Sequence, residues 1–320
     1  MPRYPLSSAF AAAMFASSSS GKEDPPAMQF ERTPDVEIHF PPLPQTVVRV
    51  TELLEDADGQ PDVQALAEVV NQDPIVASAV LRRINSAYYG MRRRISEVEK
   101  AVFLLGFLEV SNLVLTAAML QLRDIMETDE QIAIFKRITG NSIGTAFLMR
   151  RLIDRLEQPA NAMGYTVGLL HNVGRLVLLY NRPDDYEALW YGEGGPTPPN
   201  PLSEKRIFGV DYGELGAMAT ENWQLPRTIS EVLRSQLSHA MIAEKHRELR
   251  TLTLLLATCS ASARVGLAEP DADFHPPDAL HMLAQAVERS SKDIEALIVE
   301  ELPEMRSFIE SMSLNGNGDD

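Results

Sequence analysis

Asp73-Pro-Ile-Val-Ala-Ser-Ala-Val-Leu-Arg-Arg-Ile-Asn-Ser-Ala-Tyr-Tyr-Gly90 is punctuated as a helix. Asp73 can cap the first turn. Pro74 fits that turn because its missing N–H has no partner there anyway. Val76, Val80, Leu81 and Ile84 recur at helical spacing and mark a core face. The pattern predicts an end near Tyr89-Gly90, where glycine can take the left-handed conformation.

The same grammar repeats in both directions. Asp62 precedes Val63, Leu66, Ala67 and Val70, which fall at i, i+3, i+4, i+7. Ser96-Glu97-Val98-Glu99 reads as a capping box, followed by Val98, Ala101, Val102, Leu105 and Leu108 as a core face. Gly106 should divide that segment into two helices. The polar stretch from Arg123 to Gln131 marks a subdomain boundary. A long helix is expected from about Glu130 to Leu156, stopped by Pro159, and another from Ala160 through His171. The Leu176 to Tyr180 cluster belongs to the helix after that. Gly192 to Pro201 reads as a surface loop. Asp211 caps a helix with Glu214 at its third position, and Leu225-Pro226 opens the next. Leu249 to Val265 is an apolar, central helix, and the last helix spans Lys292 to Met312. Period-two alternation is nearly absent. The expectation is an all-α protein: an N-terminal helical bundle over 36–122, packed on a second helical half over 123–312. Residues 1–35 and 313–320 read as disordered tails.

Composition narrows the classes. With 45% hydrophobic residues, the 320-residue chain can bury a large core. Its net charge of −16 repels phosphate backbones unless basic residues gather in one place. They gather at Arg82, Arg83, Arg92, Arg93 and Arg94. Two readings stand: a patch for an acidic partner or a phosphate, and solvated arginines that offset nearby glutamates. The lone Cys259 cannot form an internal disulfide. It reads as a small buried hydrophobe in a reducing compartment, which makes the expected location cytoplasmic. No run of about eighteen apolar residues offers a membrane span. The alanine-rich Ala9 to Ala16 lacks the apolar core of a secretory signal. Phosphate-loop, nucleophile-elbow and Cys-x-x-Cys motifs are missing.

Several stretches, in order and spacing, resemble the HDOD family. They are Phe40-Pro-Pro-Leu-Pro44, Asp73-Pro74, Leu81 to Gly90, Ile95-Ser96, Ala101 to Gly106, Asn112-Leu-Val114, Phe208-Gly-Val-Asp211, Gly216 and Trp223-Gln-Leu-Pro226. Gly168-Leu-Leu-His-Asn-Val-Gly-Arg175 resembles that family's degenerate form of the HD motif. The resemblance runs over about residues 38–300. It implies an HD-like helical second half and a role in bacterial signal transduction, often connected with cyclic-dinucleotide pathways, stress or motility. It also implies a scaffold whose metal ligands are lost. Active HD enzymes hold metals with histidines and an aspartate. At the corresponding positions this chain has Asn141, the pair His171-Asn172, Tyr212 and Gln236. A neutral amide binds metal weakly and cannot bridge two ions as a carboxylate does. One imidazole remains, and without a metal no hydroxide forms at neutral pH.

The expected function is therefore a non-catalytic, regulatory signalling or scaffold protein that needs no cofactor. Its partners would be proteins of a signalling pathway, with no membrane or nucleic acid involved. Partner contact is expected at Asn85, Ser86, Arg92, Arg93 and Arg94. The bland alternative is that Asn85 and Ser86 only end a helix and bond the next loop. A divergent HD-type metal-dependent phosphohydrolase and a nucleic-acid binder using the Arg82 to Arg94 patch are the competing functions. His239, His246, His275 and His281 read as satisfied or solvent-exposed histidines. His171 reads as buried and structural, with a hydrogen bond to a backbone carbonyl or to the neighbourhood of Asn172.

Overall fold

The computed structural model describes residues 38–55, 62–158, 161–192, 198–238, 242, 246–268 and 277–312. The expectations for residues 1–35 and 313–320, for Pro159, for His239 and His275, and for residues 193–197 of the Gly192 to Pro201 loop lie outside those residues; Gly192 and Pro201, at the ends of that loop, belong to the flanking helices. Every regular element among the described residues is a helix. None is long and apolar enough to cross a membrane.

The N-terminal half contains α1 (Gln45–Glu55), α2 (Val63–Asn71), α3 (Pro74–Ile84), α4 (Val98–Leu105) and α5 (Phe107–Gln121). Asp62 and Asp73 cap as the sequence suggests: Asp62 accepts from the Ala65 amide, and Asp73 from the amides of Ile75 and Val76. Leu66, Ala67 and Val70 are buried, whereas Val63 at the start of α2 is exposed. α3 ends earlier than expected, at Ile84. The Asn85 side chain folds back on the Leu81 carbonyl and holds both backbone groups of Ile95, turning the chain. Ala87–Tyr89 form a separate 3-10 turn, which Gly90 closes with φ 56°.

The capping box does not form. Ser96 caps nothing, Glu97 holds the cap position without a side-chain bond, and Glu99 instead accepts from Asn71 on α2 at 2.8 Å. Gly106 does separate α4 from α5, with φ 89°. That break resets the helical phase, so Leu105 is half-buried and Leu108 exposed rather than both being core.

The second half contains α6 (Asp129–Arg155), α7 (Asn161–Leu170), α8 (Val173–Asn181), α9 (Pro183–Gly192), α10 (Pro201–Phe208), α11 (Tyr212–Asn222), α12 (Arg227–Ser235), α13 (Arg247–Ala268), α14 (Ala279–Ala286) and α15 (Ser291–Ser311). Asp211 caps α11 through the amides of Gly213 and Glu214, as expected. α6 is the axis of this half. It is buried continuously from Ile138 to Met149 and packs against α7, α13 and α15. Cys259 of α13 is fully buried, and burial raises its thiol pKa.

The halves share one apolar core, and polar contacts pin the joint. Trp223 donates its indole N–H to the Pro41 carbonyl at 3.0 Å, and Asn181 bonds both backbone groups of His39. Thr116 and Tyr165 share a buried hydroxyl contact at 2.7 Å. Arg83 reaches the Met312 carbonyl beyond α15 at 2.8 Å.

Candidate functional site

Three helices and one turn bring the site residues together. Asn141 lies midway along α6. His171 and Asn172 occupy the tight turn between α7 and α8, Arg175 sits in the first turn of α8, and Ser260 faces them from α13. Gly168 and Gly174 make this approach possible. A Cβ on Gly168 would stand 2.6 Å from the Ala146 Cα. One on Gly174 would stand 2.0 Å from the Tyr212 carbonyl oxygen and 2.7 Å from the Gly216 nitrogen. Backbone meets backbone there, so no larger residue fits.

His171 is sealed from solvent, and both ring nitrogens are engaged. Nδ1 lies 2.7 Å from the Gly168 carbonyl, which can only accept, so Nδ1 carries the proton. Nε2 therefore holds the lone pair, and at 3.0 Å it accepts from the Ser260 hydroxyl. Burial is the main cause that lowers the imidazole pKa, to about 3. The Gly168 bond opposes it, and the Arg175 and Arg264 charges add to it. The ring is neutral at physiological pH.

The amides continue the network. Asn172 donates to Asn141 Oδ1 at 3.0 Å, and Asn141 donates to the Ser260 carbonyl at 3.2 Å. Gln236, just past α12, donates to the His171 carbonyl at 3.1 Å. Arg175 supplies the start of the chain, donating to Asn172 Oδ1 at 3.0 Å and to the Pro199 carbonyl at 3.1 Å. Its Nε meets Glu204 of α10 at 2.8 Å, an ion pair sealed in the interior. Burial disfavours both charges, but Glu204 more than offsets this for Arg175, whose pKa rises. Glu204 also accepts from the Tyr212 amide at 3.0 Å, and the Tyr212 ring lies 3.7 Å under the Arg175 guanidinium carbon. The cation is thus paired on its edge and stacked on its face.

All five degenerate positions, Asn141, His171, Asn172, Tyr212 and Gln236, fall in or beside this one cluster. Arg175 stood in the quoted motif without a role. Glu204 and Ser260 had none either. Glu204 precedes the buried Phe208 by four residues, which places it on the apolar face of α10; that spacing was the available signal.

A metal does not fit these residues. The amides of Asn141, Asn172 and Gln236 turn N–H groups into the cluster, and the one imidazole lone pair is taken by Ser260. No three His, Cys, Asp or Glu side chains among the described residues could hold an ion. His246 and His281 are exposed, and His281 contacts Gln285 at 3.0 Å.

The residues expected to contact a partner lie elsewhere, at the end of α3 and after the 3-10 turn. Asn85 and Ser86 are half-buried. Asn85 spends its amide on Leu81 and Ile95, and the Ser86 hydroxyl oxygen is buried. Arg92, Arg93 and Arg94 are exposed, and so is Phe103 of α4, at 84%.

Known proteins share this fold. A solved HDOD domain protein of unknown function from Geobacter sulfurreducens superposes with a TM-score of 0.70. It is 19% identical, over 86% of this chain and 94% of that one. A protein from Shewanella amazonensis SB2B, provisionally described as a phosphohydrolase, superposes with a TM-score of 0.62. It is 24% identical, over 85% of this chain and 93% of its own. Both likenesses establish the fold alone. An uncharacterized Treponema pallidum (strain Nichols) protein is 26% identical over 196 residues, 61% of this chain, which spans only 37% of that relative's length. The HDOD domain model matches residues 40–239, well over half of the 320 residues, and the chain belongs to the HDOD family.

Proposed function

We propose that this HDOD chain is a non-catalytic signalling or scaffold module that acts through protein contacts. One observation carries the reading. The site where HD-type chemistry would occur is filled by a closed hydrogen-bond network that consumes its own donors and acceptors, including the His171 lone pair. Such a network rigidifies a core, while water activation needs ligands with free lone pairs. The exposed Arg92, Arg93 and Arg94, with Phe103 in the same half, offer a surface for an acidic protein partner. A cytoplasmic setting and a link to cyclic-dinucleotide signalling belong to the same proposal and rest on the lone cysteine and the family.

The test is elemental analysis of the purified chain together with a phosphodiesterase assay on bis-(p-nitrophenyl) phosphate. The expected result is less than stoichiometric metal and no turnover above the Asn172→Ala variant. One tightly held iron, manganese or zinc per chain, with turnover that the variant loses, would establish the divergent phosphohydrolase instead.

A further inference from the structure

The last helix ends beside the cationic run. The Arg83 guanidinium on α3 donates to the Met312 carbonyl at 2.8 Å and lies 3.1 Å from the Met312 sulfur. Tyr88 holds the end of α15 in the same place. Its ring meets Phe308 edge-on at 5.5 Å, and its hydroxyl donates to Glu304 at 3.2 Å. Tyr88 belongs to the 3-10 turn Ala87–Tyr89, and the exposed Arg92, Arg93 and Arg94 follow that turn closely. The far end of the arginine loop is fixed as well. Ile95 shares two hydrogen bonds with Asn85, both 2.7 Å, and Asn85 stands two residues after Arg83. Arg82, exposed on α3, completes the run.

Residues 313–320, Ser-Leu-Asn-Gly-Asn-Gly-Asp-Asp, continue the chain from that point and carry two acids and no base. Asp319 and Asp320 stand seven and eight residues past Met312, a reach of up to about 25 Å. The steps from Met312 to Arg94 run through Arg83, Asn85 and Ile95. Each is a hydrogen bond or a near neighbour in sequence, so the arginines lie within that reach. The acids between Glu23 and Glu37 enter the fold elsewhere, because His39 is tied to Asn181 at the end of α8.

We propose that residues 313–320 lie on this arginine run, with Asp319 and Asp320 paired to it, and compete there with an acidic protein partner. The inference rests on the reading of this surface given under the proposed function. An exposed ion pair is weak by itself. A tethered one avoids the cost of association, because the segment is held at a high effective concentration beside its site. A partner displaces the segment only by bringing more negative charge, so the segment sets a threshold for partner binding.

The test uses the full chain and two readouts at low ionic strength. A nitroxide on Gly318→Cys reports the segment directly; Cys259 is fully buried and is protected from the label. The label's motion should be slowed, and it should be freed by high salt or by Arg92→Glu, Arg93→Glu and Arg94→Glu together. Fluorescein-labelled octaglutamate stands in for the partner. Asp319→Asn with Asp320→Asn should tighten its binding by about threefold and leave the melting temperature unchanged. A slowed label with no octaglutamate binding to either chain would uphold the docked segment and overturn the partner reading of the surface. A label equally mobile in wild type and the triple variant would overturn the proposal. So would octaglutamate binding that is measurable but equal with and without the two aspartates. Tightening only when Glu23, Asp24, Glu31, Asp35 and Glu37 are neutralised would overturn it too, by assigning the arginine run to the preceding stretch.

Discussion

The Ser260 hydroxyl lies 3.0 Å from His171 Nε2, and the opposite ring nitrogen faces the Gly168 carbonyl at 2.7 Å. The tautomer is thereby set, and the lone pair that could have bound a metal becomes an acceptor inside the core. Ser260→Ala should remove the donor and strand that acceptor. A buried unsatisfied polar atom costs about 1–3 kcal/mol. Urea unfolding should show that loss with an unchanged m-value, and an unaltered midpoint would mean the contact contributes nothing.

The same burial predicts an acid sensitivity. The folded imidazole pKa is lowered from 6.5 to about 3, mainly by burial. Below the unfolded value, the unfolded chain takes up a proton that the folded chain refuses. This contribution is complete above pH 6.5 and declines as pH falls toward 3. At about 1.4 kcal/mol per pH decade between the two values, it is on the order of 5 kcal/mol. Stability measured against pH should fall more steeply in wild type than in His171→Gln across that window. Parallel curves would show that His171 is not held neutral.

Glu204→Gln should be among the costliest single changes in the second half. It leaves the Arg175 guanidinium buried without its carboxylate. Breaking one partner of a buried pair costs about 3–5 kcal/mol. Arg175→Gln should cost a similar amount, and the double variant should lose much less than the sum, because each single change already breaks the pair. Additive losses in thermal denaturation would show that the two charges do not depend on each other.

Gly174→Ala tests how close α8 and α11 must lie. The added Cβ would meet backbone atoms of Tyr212 and Gly216 that no rotamer change can move. Overpacking costs typically about 1–3 kcal/mol, and this position should reach the top of that range. Gly216→Ala should lose less, since its Cβ would meet the flexible Leu233 side chain at 3.3 Å. Equal melting temperatures for the two variants would contradict the packing described.

Local grammar explains what was legible in the sequence. Asp62, Asp73-Pro74 and Asp211 start helices through bonds that reach no further than three residues, so sequence alone reveals them. The capping box failed because Glu99 found Asn71, a partner on another helix that no local pattern contains. The early end of α3 has the same kind of cause: Asn85 holds Ile95 across the turn. In the site, the motif pointed to His171 and Asn172. The residues that complete the network, Glu204 and Ser260, lie far along the chain in ordinary-looking helices. Only the four-residue spacing of Glu204 from Phe208 hinted at its burial.

The last prediction separates a structural corner from a contact surface. Asn85 holds both backbone groups of Ile95, whereas Arg92, Arg93 and Arg94 are exposed. Asn85→Ala should therefore strand the Ile95 amide and carbonyl and destabilise the fold by about 1–3 kcal/mol. Replacing Arg92, Arg93 and Arg94 together with glutamate should change the melting temperature little, since exposed charges contribute about 0–1 kcal/mol. In this chain of net charge −16, the three arginines form a cationic run that an acidic partner could find. Pull-downs with the triple variant as bait should lose partners that the wild-type chain recovers, and the loss should be largest at low salt, where steering by charge is strongest. Unchanged recovery by a folded triple variant would remove this surface. Lost recovery by Asn85→Ala, in proportion to the folded fraction only, would place that residue with the scaffold.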